Sequence, residues 1–277
     1  MKRVIVADTS LELNQGMKES FEVRFAPFFI DVNGKSYMDD ENLDIKTFLS
    51  DLESSEDPAR TAAPTPQTFY ECYLDADEVF VVTISSKLSV TYSNAMLART
   101  RLLEEYPNAK VHVFDSKSAV CGETLVALEI QQRIEENKDF DTIVKEVEER
   151  IENMETYFVL QSLDNLVKNG RVSKIVGKLA NVLSINPICK AVDGEVEIAK
   201  KARGMKAAVK KLVEEIGTVS DDLHDRTLVI AHVYNQERAD YISETCKELY
   251  NFKRIETVVT KGLSSTYAYI GGIVVAF

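Results

Sequence analysis

Glu78-Val79-Phe80-Val81-Val82-Thr83-Ile84-Ser85-Ser86-Lys87-Leu88-Ser89-Val90-Thr91-Tyr92 is the stretch on which the fold turns. The run from Glu78 to Ile84 is almost continuously β-branched or aromatic, as a strand covered on both faces must be. It breaks into a loop crowded with hydroxyls, and a helical pattern then covers about Tyr92 to Glu105. The same order of strand, polar loop and helix occurs elsewhere. Lys2 to Ala7 ends in Asp8-Thr9-Ser10, and Lys110 to Phe114 ends in Asp115-Ser116-Lys117-Ser118 before a largely apolar helix from Ala119 to about Glu135. Three such units predict an α/β fold with a parallel, doubly wound sheet. Ligands of such sheets bind outside the carboxyl ends of the strands, here the loops that start at Asp8, Ser85 and Asp115.

Around these units, Glu22 to Asp40 alternates about Asn33-Gly34 and reads as a hairpin, a plausible flap. A polar stretch with three prolines, Leu52 to Pro66, leads into a helix from Gln67 to Leu74, with Thr65 as N-cap and Pro66 at the first helical position. Phe140, Ile143, Val144, Val147 and Ile151 share one face of a further helix. From about Thr156 the texture changes. Asn186 to Ala191 and Glu195 to Ala199 pair across Asp193-Gly194, and a helix from Met205 to Ile216, a strand from Thr227 to His232, a helix from Glu237 to Leu249 and a strand from Arg254 to Val259 follow. The expected organisation is an α/β lobe over residues 1–155 and an α+β lobe over residues 156–277.

The chain's 277 residues, 45% of them apolar, can fill the cores of two such lobes. Its longest apolar runs, Val79 to Ile84 and Ile270 to Phe277, fall far short of the roughly 20 residues that a membrane helix needs. The N-terminus meets Asp8 after four apolar residues, too few for a secretory signal, so a cytoplasmic location without membrane insertion is expected. A formal charge of -12 disfavours nucleic acid as a partner. Cys72, Cys121, Cys189 and Cys246 are widely spaced and read as buried reduced thiols.

Standard catalytic and cofactor motifs are missing from the sequence. There is no phosphate-binding G-x-x-x-x-G-K-[ST] loop, no G-x-G-x-x-G and no G-x-S-x-G elbow, so no cofactor and no metal are expected. His112, His224 and His232 stand alone; His112 alternates with Val111 and Val113 and reads as a satisfied strand residue. Carboxylate clusters such as Glu135-Glu136 read as solvated helix faces.

The informative feature is hydroxyl crowding in two segments, Arg60 to Pro66 and Thr83 to Tyr92. Turn and N-cap chemistry explains any one of these residues, but less well the whole set. A bound carboxylate needs two to four converging donors, and short hydroxyl side chains at a helix start supply them beside free N–H groups.

The sequence resembles the DegV family of fatty-acid-binding proteins over essentially the whole chain. Asp8-Thr9-Ser10-Leu11-Glu12-Leu13 is similar to that family's D-S-[ST]-x-D-L, Thr61 to Thr65 to T-S-Q-P-[ST], and Ile84 to Tyr92 to I-S-S-x-L-S-G-T-Y. Asp115-Ser116 with Gly122, Leu163 to Arg171, and Asn186-Pro187-Ile188 with Asp193-Gly194 match three further motifs in order. The resemblance implies an acyl chain buried between the two lobes, its carboxylate held by Thr61 and Ser89. It places Arg171 near the head group, where a solvated turn arginine is the alternative, and makes Ser86, Thr91 and Ser118 candidate neighbours. Ala62, Ala63, Val90 and Asn169 depart from the family pattern, and Lys261 to Thr266 lacks the histidine that many members carry near the C-terminus. These departures bear on the head-group shell and on partner docking.

The leading reading is a non-catalytic binder of a long-chain fatty acid that presents it to a separate ATP-binding kinase subunit. One rival is a hydrolase or acyltransferase using Ser89 or Ser86 as nucleophile, for which the sequence names no base. Another is a carrier of some other small carboxylic acid.

Overall fold

The computed structural model describes residues 2–172, 185–219 and 223–277. Its strands are β1 (Arg3–Asp8), β2 (Val23–Ala26), β3 (Phe29–Val32), β4 (Lys35–Met38), β5 (Arg60–Ala62), β6 (Glu78–Thr83), β7 (Lys110–Asp115), β8 (Thr156–Val159), β9 (Ile185–Val192), β10 (Glu195–Arg203), β11 (Thr227–His232), β12 (Arg254–Val259) and β13 (Ile273–Ala276). The described helices are α1 (Gln15–Ser20), α2 (Ile45–Ser54), α3 (Pro66–Tyr73), α4 (Thr91–Glu105), α5 (Cys121–Glu135), α6 (Phe140–Glu152), α7 (Asp164–Lys168), α8 (Met205–Val219), α9 (Gln236–Tyr250) and α10 (Gly262–Ala268).

The three strand-loop-helix units form one sheet of order β2-β1-β6-β7, parallel throughout. All six residues of β6 are buried, the burial that its apolar run calls for. Helices α3 and α4 cover one face through Phe69, Tyr73, Ala95, Ala98 and Leu102. Thr65 caps α3 by accepting from Thr68 N–H at 3.1 Å, with Pro66 in the first turn.

Helix α5 covers the other face together with α6. It is buried nearly all round, from Cys121 to Ala127 and at Ile130. The cause is a second sheet on its far side: Cys121 Sγ contacts the Val274 carbonyl at 3.2 Å, and a continuous core joins Ile5, Phe80 and Val126 to Val229, Ala231 and Val274. The first turns of α5 are buried on every side because they lie between two layers.

The second sheet has order β10-β9-β8-β13-β11-β12; β11 and β12 run parallel and the other neighbours antiparallel. The protein is therefore a mixed α/β structure with one parallel and one mixed sheet. In the β9-β10 hairpin both turn residues have positive φ, Asp193 at 49° and Gly194 at 82°, as the expected two-residue turn requires.

A small third sheet, β4-β3-β5, stands apart. The hairpin about Asn33-Gly34 forms as expected, but Val23–Ala26 belongs to the edge of the parallel sheet instead. Arg60–Ala62, read from sequence as part of a polar connection, is a strand that pairs Thr61 with Ile30. Helix α2, also unforeseen, packs Phe48, Leu49 and Leu52 beneath this sheet. Cys121, Cys189 and Cys246 are buried, Cys72 is half-buried, and all four are free thiols.

Candidate functional site

The loops after β1, β6 and β7 meet where the sequence placed a ligand. Asp8 organises them: Oδ1 accepts from Ser10 N–H at 2.9 Å and Oδ2 from Ile84 N–H at 2.8 Å, tying two strand ends together. Ser10 Oγ accepts from Val120 N–H at 3.1 Å, which brings in the third loop. Val120 is held at φ 55°, a conformation a β-branched residue seldom adopts, directly before α5. Gly122, in the first turn of α5, has no space for a side chain, since a Cβ there would lie 2.1 Å from Ser118 Oγ.

Between these loops and the second sheet lies a narrow, partly open cleft with a free volume of about 110 Å³. Its walls are mainly apolar and come from both halves of the chain: Phe28, Ile84, Leu88 and Val120 from one, Phe158, Leu160, Leu166, Val196 and Val274 from the other. The polar lining consists largely of hydroxyls, those of Ser10, Thr61, Ser89, Ser118, Thr156, Ser264 and Tyr267.

Of the residues named from sequence, Thr61, Ser89, Ser118 and Arg171 line this cleft. Ser89 stands just ahead of α4, and its Oγ lies 2.7 Å from Thr91 Oγ1 and accepts from Thr91 N–H at 3.3 Å. Thr91 is buried behind it and does not line the cleft. Ser118 Oγ shares a 2.7 Å hydrogen bond with Thr156 Oγ1. Arg171 donates to the Leu88 carbonyl at 3.1 Å and also to the Asn169 carbonyl, which seats its guanidinium beside the Ser89 loop. It is thus bound to backbone rather than free in solvent, and among the described residues no carboxylate pairs with it. Ser86 is not in the lining: its side chain is exposed and its N–H is held by Asp115 Oδ1 at 3.1 Å.

Sequence reading missed Tyr267 and Ser264. Tyr267 OH lies 2.9 Å from Thr61 Oγ1, a contact across 206 positions of sequence. Both residues sit on α10, a short hydroxyl-rich helix that carries no strong periodic signal. Ser264 Oγ is buried without a hydrogen-bond partner.

Four buried carboxyls surround this region. Burial pushes Asp8 up to about 6 against the pull of its two N–H bonds. Glu12 accepts from Lys261 N–H at 2.7 Å, yet burial, and then the nearby charge of Asp39, push it up to about 8. Asp39 is raised by burial and Glu123 well raised by burial and by Asp8. None of the three histidines lines the cleft; His112 is bound to Glu148 at 2.8 Å. Among the described residues no cluster of side chains fits a metal ion.

A family model described as an uncharacterised protein of the DegV family matches residues 2–277. A DegV domain-containing protein of Streptococcus pyogenes serotype M1 is 37% identical over 279 residues, covering 99% of this chain and 98% of that protein. A DegV-family structure from Ruminococcus gnavus, with vaccenic acid, superposes with a TM-score of 0.95 at 36% identity, covering 99% of each chain. The Streptococcus pneumoniae Fatty Acid Kinase (Fak) B3 protein, loaded with linoleic acid, superposes with a TM-score of 0.93 at 28% identity, covering 100% of this chain and 99% of that one.

Proposed function

The chain belongs to the DegV family, and on that premise we propose that it binds one long-chain fatty acid, acyl chain in the cleft, carboxylate on the hydroxyls of Thr61 and Ser89. The observation that carries this reading is a mainly apolar cleft drawn from both halves of the chain and furnished with hydroxyls and the charged side chains of Arg171, Lys117 and Glu195. Hydroxyls donate to a carboxylate, the N-terminal end of α4 adds a favourable dipole beside Ser89, and Arg171 adds positive charge in a protein of net charge -12. The acids carried by the Ruminococcus and Streptococcus pneumoniae proteins support the ligand class.

The two lobes, residues 1–155 and 156–277, would then close on the ligand from opposite sides. The Fak B3 likeness supports a role as the acyl-presenting partner of a separate ATP-binding kinase, in the cytoplasm. No described helix is long and apolar enough to cross a membrane. A hydrolase reading is less favoured, because the hydrogen-bond partners of Ser89 Oγ are Thr91 Oγ1 and Thr91 N–H, neither of which is a base.

The test is extraction of the purified, denatured protein followed by mass spectrometry. A carboxylic acid of roughly 14 to 18 carbons is expected, because burial contributes about 0.8 kcal/mol per CH₂ and a long chain survives purification where a short one does not. Recovery of a small hydrophilic acid would keep the fold and remove the lipid. Phosphorylation of the bound acid on addition of a kinase and ATP, and its absence without the kinase, tests the partner.

A further inference from the structure

Thr61 lies on β5 in the small sheet, and its hydroxyl is 2.9 Å from that of Tyr267 on α10. Each hydroxyl carries a single proton. If Thr61 donates to Tyr267, it has nothing left to give a carboxylate. If Tyr267 donates to Thr61, the Thr61 proton is free for the ligand, and the bond behind it polarises that proton further. Recognition at Thr61 therefore depends on Tyr267 being held in place.

A second tie joins the same two pieces of structure. Asp39 directly follows β4 and is buried, and its carboxyl faces the first residues of α10. Oδ1 accepts from Gly262 N–H at 2.9 Å and Oδ2 from Leu263 N–H at 2.8 Å. The approach is so close that a Cβ on Gly262 would lie 2.6 Å from Asp39 Oδ1 and 2.8 Å from Leu43. The small sheet thus grips α10 at its first turn through Asp39 and meets it again at Tyr267, five residues on.

We propose that Asp39 is a positioning residue for carboxylate recognition, holding α10 against the small sheet so that Tyr267 orients the Thr61 hydroxyl toward the ligand. The inference rests on the fatty-acid reading and adds two residues to it. It predicts a specific coupling: Asp39 matters for the acid group and acts through Tyr267.

The experiment measures calorimetric affinity for an 18-carbon monounsaturated acid and for the matching alcohol. The proteins are the delipidated wild type, Asp39→Asn, Tyr267→Phe and the double variant. Each single variant is expected to weaken acid binding about tenfold, the loss of one oriented hydrogen bond to a charged group, with alcohol binding changed less than about twofold. In the Tyr267→Phe background, Asp39→Asn is expected to add nothing. Equal losses for acid and alcohol would show a general packing role and overturn the proposal, as would multiplying effects in the double variant or unchanged acid affinity in either single one. Gly262→Ala, which drives a methyl group into the same carboxyl, gives a second perturbation should Asp39→Asn not fold; it must show the same acid-selective loss. A wild type that binds neither ligand would instead refute the fatty-acid reading itself.

Discussion

Thr61 and Ser89 present short hydroxyls to the same apolar cleft, and each has one partner hydroxyl behind it, Tyr267 and Thr91 respectively. Replacing both with Ala should lower fatty acid affinity on the order of a hundredfold or more, since each lost bond to a charged acceptor costs about 1.5 to 3 kcal/mol. Unfolding should be little affected, and a titration of the double variant checks both points. Gly194 is constrained differently: its φ is 82°, and a Cβ would lie 2.5 Å from Ser85 Oγ, which itself donates to the Gly194 carbonyl at 2.7 Å. Gly194→Ala should therefore destabilise the protein by about 1 to 3 kcal/mol in urea denaturation, by strain and by displacing Ser85 from its contact with the hairpin. Thr61, Ser89 and Arg171 could be named from sequence because they fall in segments that resemble the family's motifs, and all three line the cleft. Tyr267 could not, because its significance lies in a contact 206 positions away and its seven-residue helix is too short for a periodic signal.

Helix α10 shows how a seven-residue element can be essential to a site. Its leading N–H groups, from Lys261 to Leu263, are each satisfied by a carboxyl from elsewhere, Glu12 or Asp39. The arrangement has a pH signature. Glu12 ionises near 4.5 in the unfolded chain and near 8 in the folded one, so the folded state holds the extra proton between these values. Its contribution to stability is complete below 4.5 and is lost as the pH rises through 8. The melting temperature should fall from pH 6 to pH 9, a loss on the order of a few kcal/mol, and Glu12→Gln should flatten that slope. A slope unchanged in Glu12→Gln, followed by scanning calorimetry, would place the proton elsewhere. At this level the long, strongly patterned elements were readable from sequence: β1, β6, β7, α4, α5, and the β9-β10 hairpin. Among those that escaped were the helix α2, β5 and α10, the last two too short for a periodic signal, and β2, whose alternation fits a hairpin equally well until Pro27 separates it from β3.

For the molecule as a whole, α5 is the layer that both large sheets share, and the cleft opens near its N-terminal end at Val120. A ligand that touches both halves should stabilise them together: saturating fatty acid at about a hundred times its Kd is expected to add about 2.7 kcal/mol and raise a single melting transition. Two transitions, only one of which moves, would show that the halves unfold separately. The strand order of the second sheet carries a further consequence. Strand β13 follows β8 to β12 in sequence, yet it lies between β8 and β11 and hydrogen-bonds to both. Until Ile273–Ala276 is synthesised, β8-β9-β10 and β11-β12 are two unjoined ribbons with open edges, and the apolar side of α5 that meets Val274 has nothing to cover it. Val274 of β13 also lines the cleft, so the cleft is complete only once β13 has joined the two ribbons, and a variant truncated before Ile273 is expected to expose two open sheet edges and to aggregate.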